Sequence, residues 1–244
     1  GQSMRITEKL ANFDMKRDSR PIIAFIGDSV TQGCFELNIS SDGTFSGVCD
    51  YESVYHNRFK EILSVLFPNV PINIINAGIG GDIAKNGANR LERDVLRYNP
   101  DLTVVCYGIN DCGVGGDYLD EYILSLKEMF VSLQNHGSEV IFMTPSMMCT
   151  EVNPYFTDRR ASDFAKLVKD IQLSGSLDRF CAAAKKTASE CGVTVCDVYS
   201  KWKTMQECGV DTNALLSNGI NHPSRQMHAL FAYSLVETMF KKGE

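Results

Sequence analysis

The 244-residue chain carries 44% hydrophobic and 22% charged residues, the balance of a globular protein with a sizeable core. Its net charge of −6, with a pI near 5.3 and no basic run, argues against nucleic acid or an anionic membrane surface as partner. No apolar run approaches the length of a membrane span.

Residues 1–20 mix charges with isolated apolar side chains and lack a signal-peptide core. They are read as an N-terminal extension to one domain that fills the chain. Gly1–Ser3 is taken as an appended remnant ahead of a natural start at Met4. The nine cysteines are odd in number and hold no C-x-x-C pair, so neither a disulfide framework nor a zinc ribbon is expected. Cys106, Cys181 and Cys196 sit in apolar segments and read as buried free thiols, which suits a reducing cytoplasm. Earlier removal of a leader is compatible with the same sequence.

Ile22–Ile26 is a continuous apolar run, the signature of a strand covered on both faces. Gly27 turns the chain sharply, and Asp28 and Ser29 follow at the strand's carboxyl end, where ligands sit in open α/β sheets. A hydroxyl held there is a candidate nucleophile. Cys34 to Asp50 has no clean period and is read as a long functional loop. Tyr55, Phe59, Ile62, Leu63 and Leu66 recur at helical spacing.

Ile72–Ile75 is the second predicted strand, running into NAGIGGD with three glycines from Gly78 to Gly81. Asp82 is expected to cap a helix with Ile83, Gly87, Leu91 and Val95 on its inner face. Leu102–Cys106 is a third strand, followed by Gly108-Ile109-Asn110-Asp111 and a strongly periodic helix from Leu119 to Leu133. Val140–Met143 is a fourth strand. Ser146–Asp158 is irregular, and its Met147, Met148, Tyr155 and Phe156 are candidates for an acyl pocket or for core packing. Helix then runs to Glu190 with a break near Gly175, Val193–Cys196 is a short fifth strand, and Asp197 lies at its end. Pro223 is expected in the first turn of a last helix. Strand and helix alternate five times, which predicts a three-layer α/β/α sandwich around a five-stranded parallel sheet. Ser29, Gly81, Asn110 and Asp197 would line one edge of that sheet.

Four blocks then stand in order: Gly27-Asp28-Ser29, Asn76 to Asp82, Gly108 to Asp111, and Asn221-His222-Pro223. Together they resemble the SGNH hydrolases, the GDSL-type lipases and acylhydrolases, over nearly the whole chain. The resemblance implies a flavodoxin-like hydrolase fold without a cofactor or a metal. It implies Ser29 as nucleophile, His222 as general base, and an oxyanion hole of the Ser29 and Gly81 N–H groups with the Asn110 amide. Chemistry supports those roles, because a serine hydroxyl needs a neighbouring base and the carbonyl oxygen under attack needs donors. Asp28 and Asp111 match family positions too and are read as braces that bond to backbone. His228 lies six residues beyond His222, off its helical face, so a paired metal site is not expected.

The family usually carries D-x-x-H, and here Gly219 stands where the aspartate would be. A backbone carbonyl near Gly219 is the expected partner for the imidazole. The Asn218 side chain, Asp211 and Asp197 are the other candidates. The expected activity is a serine esterase removing a small acyl group, acetyl among them, from an alcohol or sugar. A flavodoxin-like phosphate-binding module, with Gly78–Gly81 as cradle, and an inactive glycan-binding relative are the competing readings.

Overall fold

The computed structural model describes residues 4–241, so the reading of Gly1–Ser3 lies outside the described residues. In chain order the elements are α1 (Arg5–Ala11), β1 (Ile22–Gly27), α2 (Ser29–Gln32), β2 (Cys34–Ile39), β3 (Phe45–Cys49), α3 (Tyr55–Leu66) and β4 (Asn73–Gly78). Next come α4 (Ala84–Asn89), α5 (Leu91–Asp94), β5 (Leu102–Cys106), α6 (Leu119–Asn135) and β6 (Glu139–Met143). The chain continues through α7 (Arg159–Leu173), α8 (Ser176–Glu190), β7 (Thr194–Cys196), α9 (Val198–Glu207) and α10 (His228–Phe240).

Five strands form one parallel sheet in the order β4-β1-β5-β6-β7. The chain steps from β1 to one neighbour, β4, and then back across to β5 and outward. Right-handed crossovers in opposite directions put their helices on opposite faces, so the sheet is covered twice. On one side α3 packs on α10, and on the other α6 packs on α4 and α8. Double coverage explains the apolar runs: Ile23, Ala24, Phe25 and Ile26 of β1 are all fully buried. Phe25 meets Tyr55 and Phe59 of α3 edge to face, at centroid distances of 5.6 and 5.9 Å. The reversal of strand order falls at β1, whose carboxyl end leads to Ser29. That is the switch point where such sheets bind ligands.

Within the N-terminal extension, residues 5–11 form a helix whose Ile6 and Leu10 are buried in the main core. Three expectations are corrected. Cys34–Asp50 is chiefly an antiparallel hairpin, β2 with β3. Both faces of β3 are largely exposed and the register shifts between Cys34 and Leu37, so no alternation of burial marks the strands in sequence. The helix after Asp82 is two short pieces, and Asp82 does not cap it; its carboxylate pairs with Arg90. The last helix starts at His228, five residues beyond Pro223. Pro223 instead bridges Leu216, closing a small antiparallel loop.

All nine cysteines are free thiols, seven of them buried or half-buried. Cys49 and Cys208 are exposed, so burial does not account for the whole set. No helix among the described residues is long and apolar enough to cross a membrane.

Candidate active site

Ser29 stands where β1 gives way to a single helical turn. Gly27 makes the turn possible: a Cβ there would sit 2.4 Å from Thr31 Oγ1 and 2.6 Å from the Cys106 carbonyl oxygen. Asp28 caps the turn by accepting the Val30 N–H at 3.0 Å, and burial pushes its carboxyl up to about 7. Ser29 opens α2, so its N–H has no partner within the helix.

Gly81 sits in a turn closed by the Asp82 N–H donating to the Ile79 carbonyl at 3.2 Å. Its φ of +77° at the third position is the pattern of a type II turn, which asks for glycine there. The neighbouring N–H groups are all engaged. Gly78 donates to Asn76 Oδ1, Ile79 to the Gly27 carbonyl, and Gly80 to Gln32 Oε1. The Gly81 N–H is the donor left over. A phosphate cradle needs several consecutive free N–H groups, so this loop does not make one.

Asn110 follows β5 and donates through Nδ2 to the Asp82 carbonyl at 2.9 Å, which leaves its second amide hydrogen for the cleft. Asp111 accepts the Ala84 N–H at 2.8 Å and so caps α4 from a distance; burial raises its carboxyl to about 7. Arg90, buried and paired with Asp82, also donates to the carbonyls of Ala77 at 2.7 Å and Gly27 at 3.2 Å. It thereby fastens the ends of β4 and β1 together beneath the site, a role with no signature in the sequence.

His222 is held by its loop. Asn218 Oδ1 accepts the N–H groups of Ile220, Asn221 and His222 at 2.9, 2.9 and 3.0 Å. Within that loop Gly219 takes a φ of +68°, and its carbonyl is not the imidazole's partner. The imidazole Nε2 lies 2.8 Å from Ser29 Oγ, and Nδ1 lies 2.9 Å from the carbonyl oxygen of Phe35. A carbonyl can only accept, so Nδ1 carries the proton and Nε2 is free to take one from Ser29.

The imidazole's partner is therefore a backbone carbonyl, but it comes from β2 rather than from the neighbourhood of Gly219. Phe35 is fixed by full burial, by the Arg225 guanidinium 4.5 Å above its ring, and by the pairing of that guanidinium with Glu36 and Asp50. The other candidates serve elsewhere. Asp197 caps α9 and pairs with Lys185, Asp211 caps the turn at Thr212–Leu215, and Asn218 organises backbone.

Burial holds the His222 imidazole below its ordinary value of 6.5, and the bond to the Phe35 carbonyl opposes this in part. A neutral imidazole is the active form of a base. Activity is thus expected to fall on acidification with a midpoint below 6.5, readable from the acid limb of kcat/KM.

The cleft above these groups has a volume of about 530 Å³. Its walls come from the hairpin and α7: Leu37, Phe45, Cys34 and Cys49 on one, Phe164 on the other. Phe45 and Phe164 meet with ring centroids 5.4 Å apart. Met147 and Met148 are instead buried in the core, Tyr155 is exposed and Phe156 packs under Gly219, so that stretch does not line the cleft. His56 and His228 serve the core, bonded to the Thr31 carbonyl and the Tyr55 N–H. Among the described residues no three His, Cys, Asp or Glu side chains gather as a metal site.

Residues 25–230 match the GDSL-like lipase/acylhydrolase family. An acetylxylan esterase of Geobacillus stearothermophilus is 29% identical over 167 residues, which cover 64% of this chain and 74% of that protein. The crystal structure of Axe2, an acetylxylan esterase from Geobacillus stearothermophilus, superposes with a TM-score of 0.67 at 22% identity, over 93% of this chain and 98% of that one. LAE5, an alpha/beta hydrolase enzyme from the metagenome of Lake Arreo, Spain, gives 0.66 at 19% identity over the same shares. At such identities the likeness of structures carries the fold, while the match over most of the sequence carries the family. The chain belongs to the GDSL-like lipase/acylhydrolase family and is a carboxylic ester hydrolase.

Proposed function

We propose that the chain is a serine esterase that removes acetyl groups from a carbohydrate through an acyl-enzyme on Ser29. One observation carries the reading: the Ser29 hydroxyl, the His222 imidazole and the Phe35 carbonyl form a relay with steps of 2.8 and 2.9 Å. Ser29 Oγ attacks the acetyl carbon while His222 Nε2 takes its proton. The carbonyl oxygen gains negative charge and is met by the N–H groups of Ser29 and Gly81 and by the Asn110 amide. The tetrahedral intermediate collapses as His222 returns the proton to the departing sugar oxygen. Water then attacks the acyl-enzyme, with His222 again as base, and acetate leaves. Phe35 fixes the tautomer throughout, though a carbonyl stabilises imidazolium less than a carboxylate does.

The substrate class is supported by the cleft and by the relative. Phe45, Phe164 and Leu37 offer apolar surface beside the amides of Gln32, Asn218 and Asn221, a mixture suited to a sugar's apolar face and its hydroxyls. The similar acetylxylan esterase points the same way. A series of p-nitrophenyl esters, with acetate release from acetylated xylo-oligosaccharides alongside, tests the reading. We expect kcat/KM to fall about 10-fold or more between acetyl and hexanoyl, a loss of about 1.4 kcal/mol in transition-state binding. A rise with chain length would overturn the small-acyl reading.

A further inference from the structure

We propose that Cys34 and Cys49 form a redox-active dithiol in the wall of the cleft, which a small disulfide such as glutathione disulfide closes into a cross-strand bond. Their sulfurs already lie 3.6 Å apart. The two residues stand directly opposite in the antiparallel pairing of β2 with β3. Beside them the Asp50 N–H donates to the Gly33 carbonyl at 2.8 Å, which makes Cys34 and Cys49 the adjacent non-hydrogen-bonded pair. Such pairs bring Cα atoms to about 4.5 Å, inside the span of about 4.4–6.8 Å that a disulfide bridges. The bond therefore needs side-chain rotation and no movement of the strands. Gly47 leaves the space that the Cys34 side chain occupies: a Cβ there would lie 2.5 Å from Cys34 Cβ and 3.0 Å from its Sγ.

The two thiols differ in the way the reaction requires. Cys49 is exposed and meets the reagent first, whereas Cys34 is buried. Burial, with Cys49 beside it, pushes the Cys34 thiol up to about 12. Cys49, as thiolate, attacks one sulfur of glutathione disulfide and expels a first glutathione thiolate. Cys34 then loses its proton and attacks the Cys49 sulfur, and the mixed disulfide breaks to release the second. Two protein thiols are oxidised, and one glutathione disulfide is reduced to two molecules of glutathione. The ester chemistry uses neither sulfur, but the place of the bond gives it a use. The register of the hairpin shifts just beyond Cys34, and there Phe35 turns its carbonyl to His222 Nδ1. On the other strand Asp50, next to Cys49, pairs with the Arg225 guanidinium that lies over the Phe35 ring. A bond at this pair clasps the hairpin at the point that orients the imidazole.

Incubating the reduced full chain with glutathione disulfide, followed by alkylation and peptide mapping by mass spectrometry, tests the proposal. A linked Cys34–Cys49 peptide is expected, and dithiothreitol should reverse it. Cys208, the other exposed thiol, should take at most a glutathione. Because the bond joins residues 15 apart in the chain, the melting temperature should rise by at least about 4 °C. The kcat for p-nitrophenyl acetate should stay within about threefold of the reduced form, since the Phe35 carbonyl need not move. Cys34→Ser and Cys49→Ser should each give no linked peptide and no rise in melting temperature under the same treatment. Reaction that stops at a glutathione on Cys49, or leaves both thiols free, would overturn the dithiol. A linked form that melts no higher, or turns over more than threefold slower, would overturn the clasp. Linkage and melting are read without substrate, so they decide the dithiol even if activity survived Ser29→Ala and the esterase reading fell.

Discussion

Ser29→Ala is expected to lower kcat for ester hydrolysis by about 10⁴- to 10⁶-fold while the protein stays folded. The size follows from what is removed. Without Oγ there is no acyl-enzyme, and the oxyanion donors and cleft are left to assist water alone. The fold should tolerate the change because the turn does not depend on the hydroxyl. Asp28 caps Val30, Arg90 holds the Gly27 carbonyl, and the Ser29 main chain is unaltered. Steady-state rates with p-nitrophenyl acetate, beside a thermal melt, check it. A variant that keeps a tenth of the parent rate would remove Ser29 from the chemistry.

His222→Ala should cost a similar factor, since an unassisted serine hydroxyl is a poor nucleophile near neutrality. Here too the local fold should survive: the loop is built on Asn218, whose Oδ1 gathers three N–H groups without help from the imidazole. The contrast lies with the carboxylates. Asp197→Ala and Asp211→Ala should each keep kcat within about threefold, because neither touches His222 and each caps a different element. Losing such a cap costs about 1 kcal/mol of stability, which a melt would register without a matching change in rate. A collapse of kcat in a folded Asp197 or Asp211 variant would contradict the assignment of the Phe35 carbonyl as the imidazole's partner.

The sheet was legible because its strands are covered on both faces and must be apolar throughout; Leu102–Cys106 has the same bounds in sequence and in structure. The hairpin was not, because β3 shows solvent to both sides and a register shift interrupts β2. The same physics governs the site. Ser29, Gly81, Asn110 and His222 carry identities that the four blocks display, and the structure brings all four to one cleft. Phe35 contributes a carbonyl that any residue would supply, so only the gap at Gly219 signalled that some acceptor was needed. Arg90 and Gln32 act through bonds to main chain across long stretches of sequence, 63 residues in one case and 48 in the other, which no local pattern reveals. The last helix was placed early because Pro223 suits a first helical turn, whereas here it ends the His222 loop by bridging Leu216.

The account turns on a serine made nucleophilic by an imidazole that a main-chain oxygen keeps in one tautomer. Treating the protein with a fluorophosphonate and mapping the adduct by mass spectrometry probes this most directly. One phosphonyl group on Ser29, formed rapidly in the parent and slowed by orders of magnitude in His222→Ala, is the predicted result. Modification at another residue, or labelling of Ser29 at the same rate without the imidazole, would contradict it.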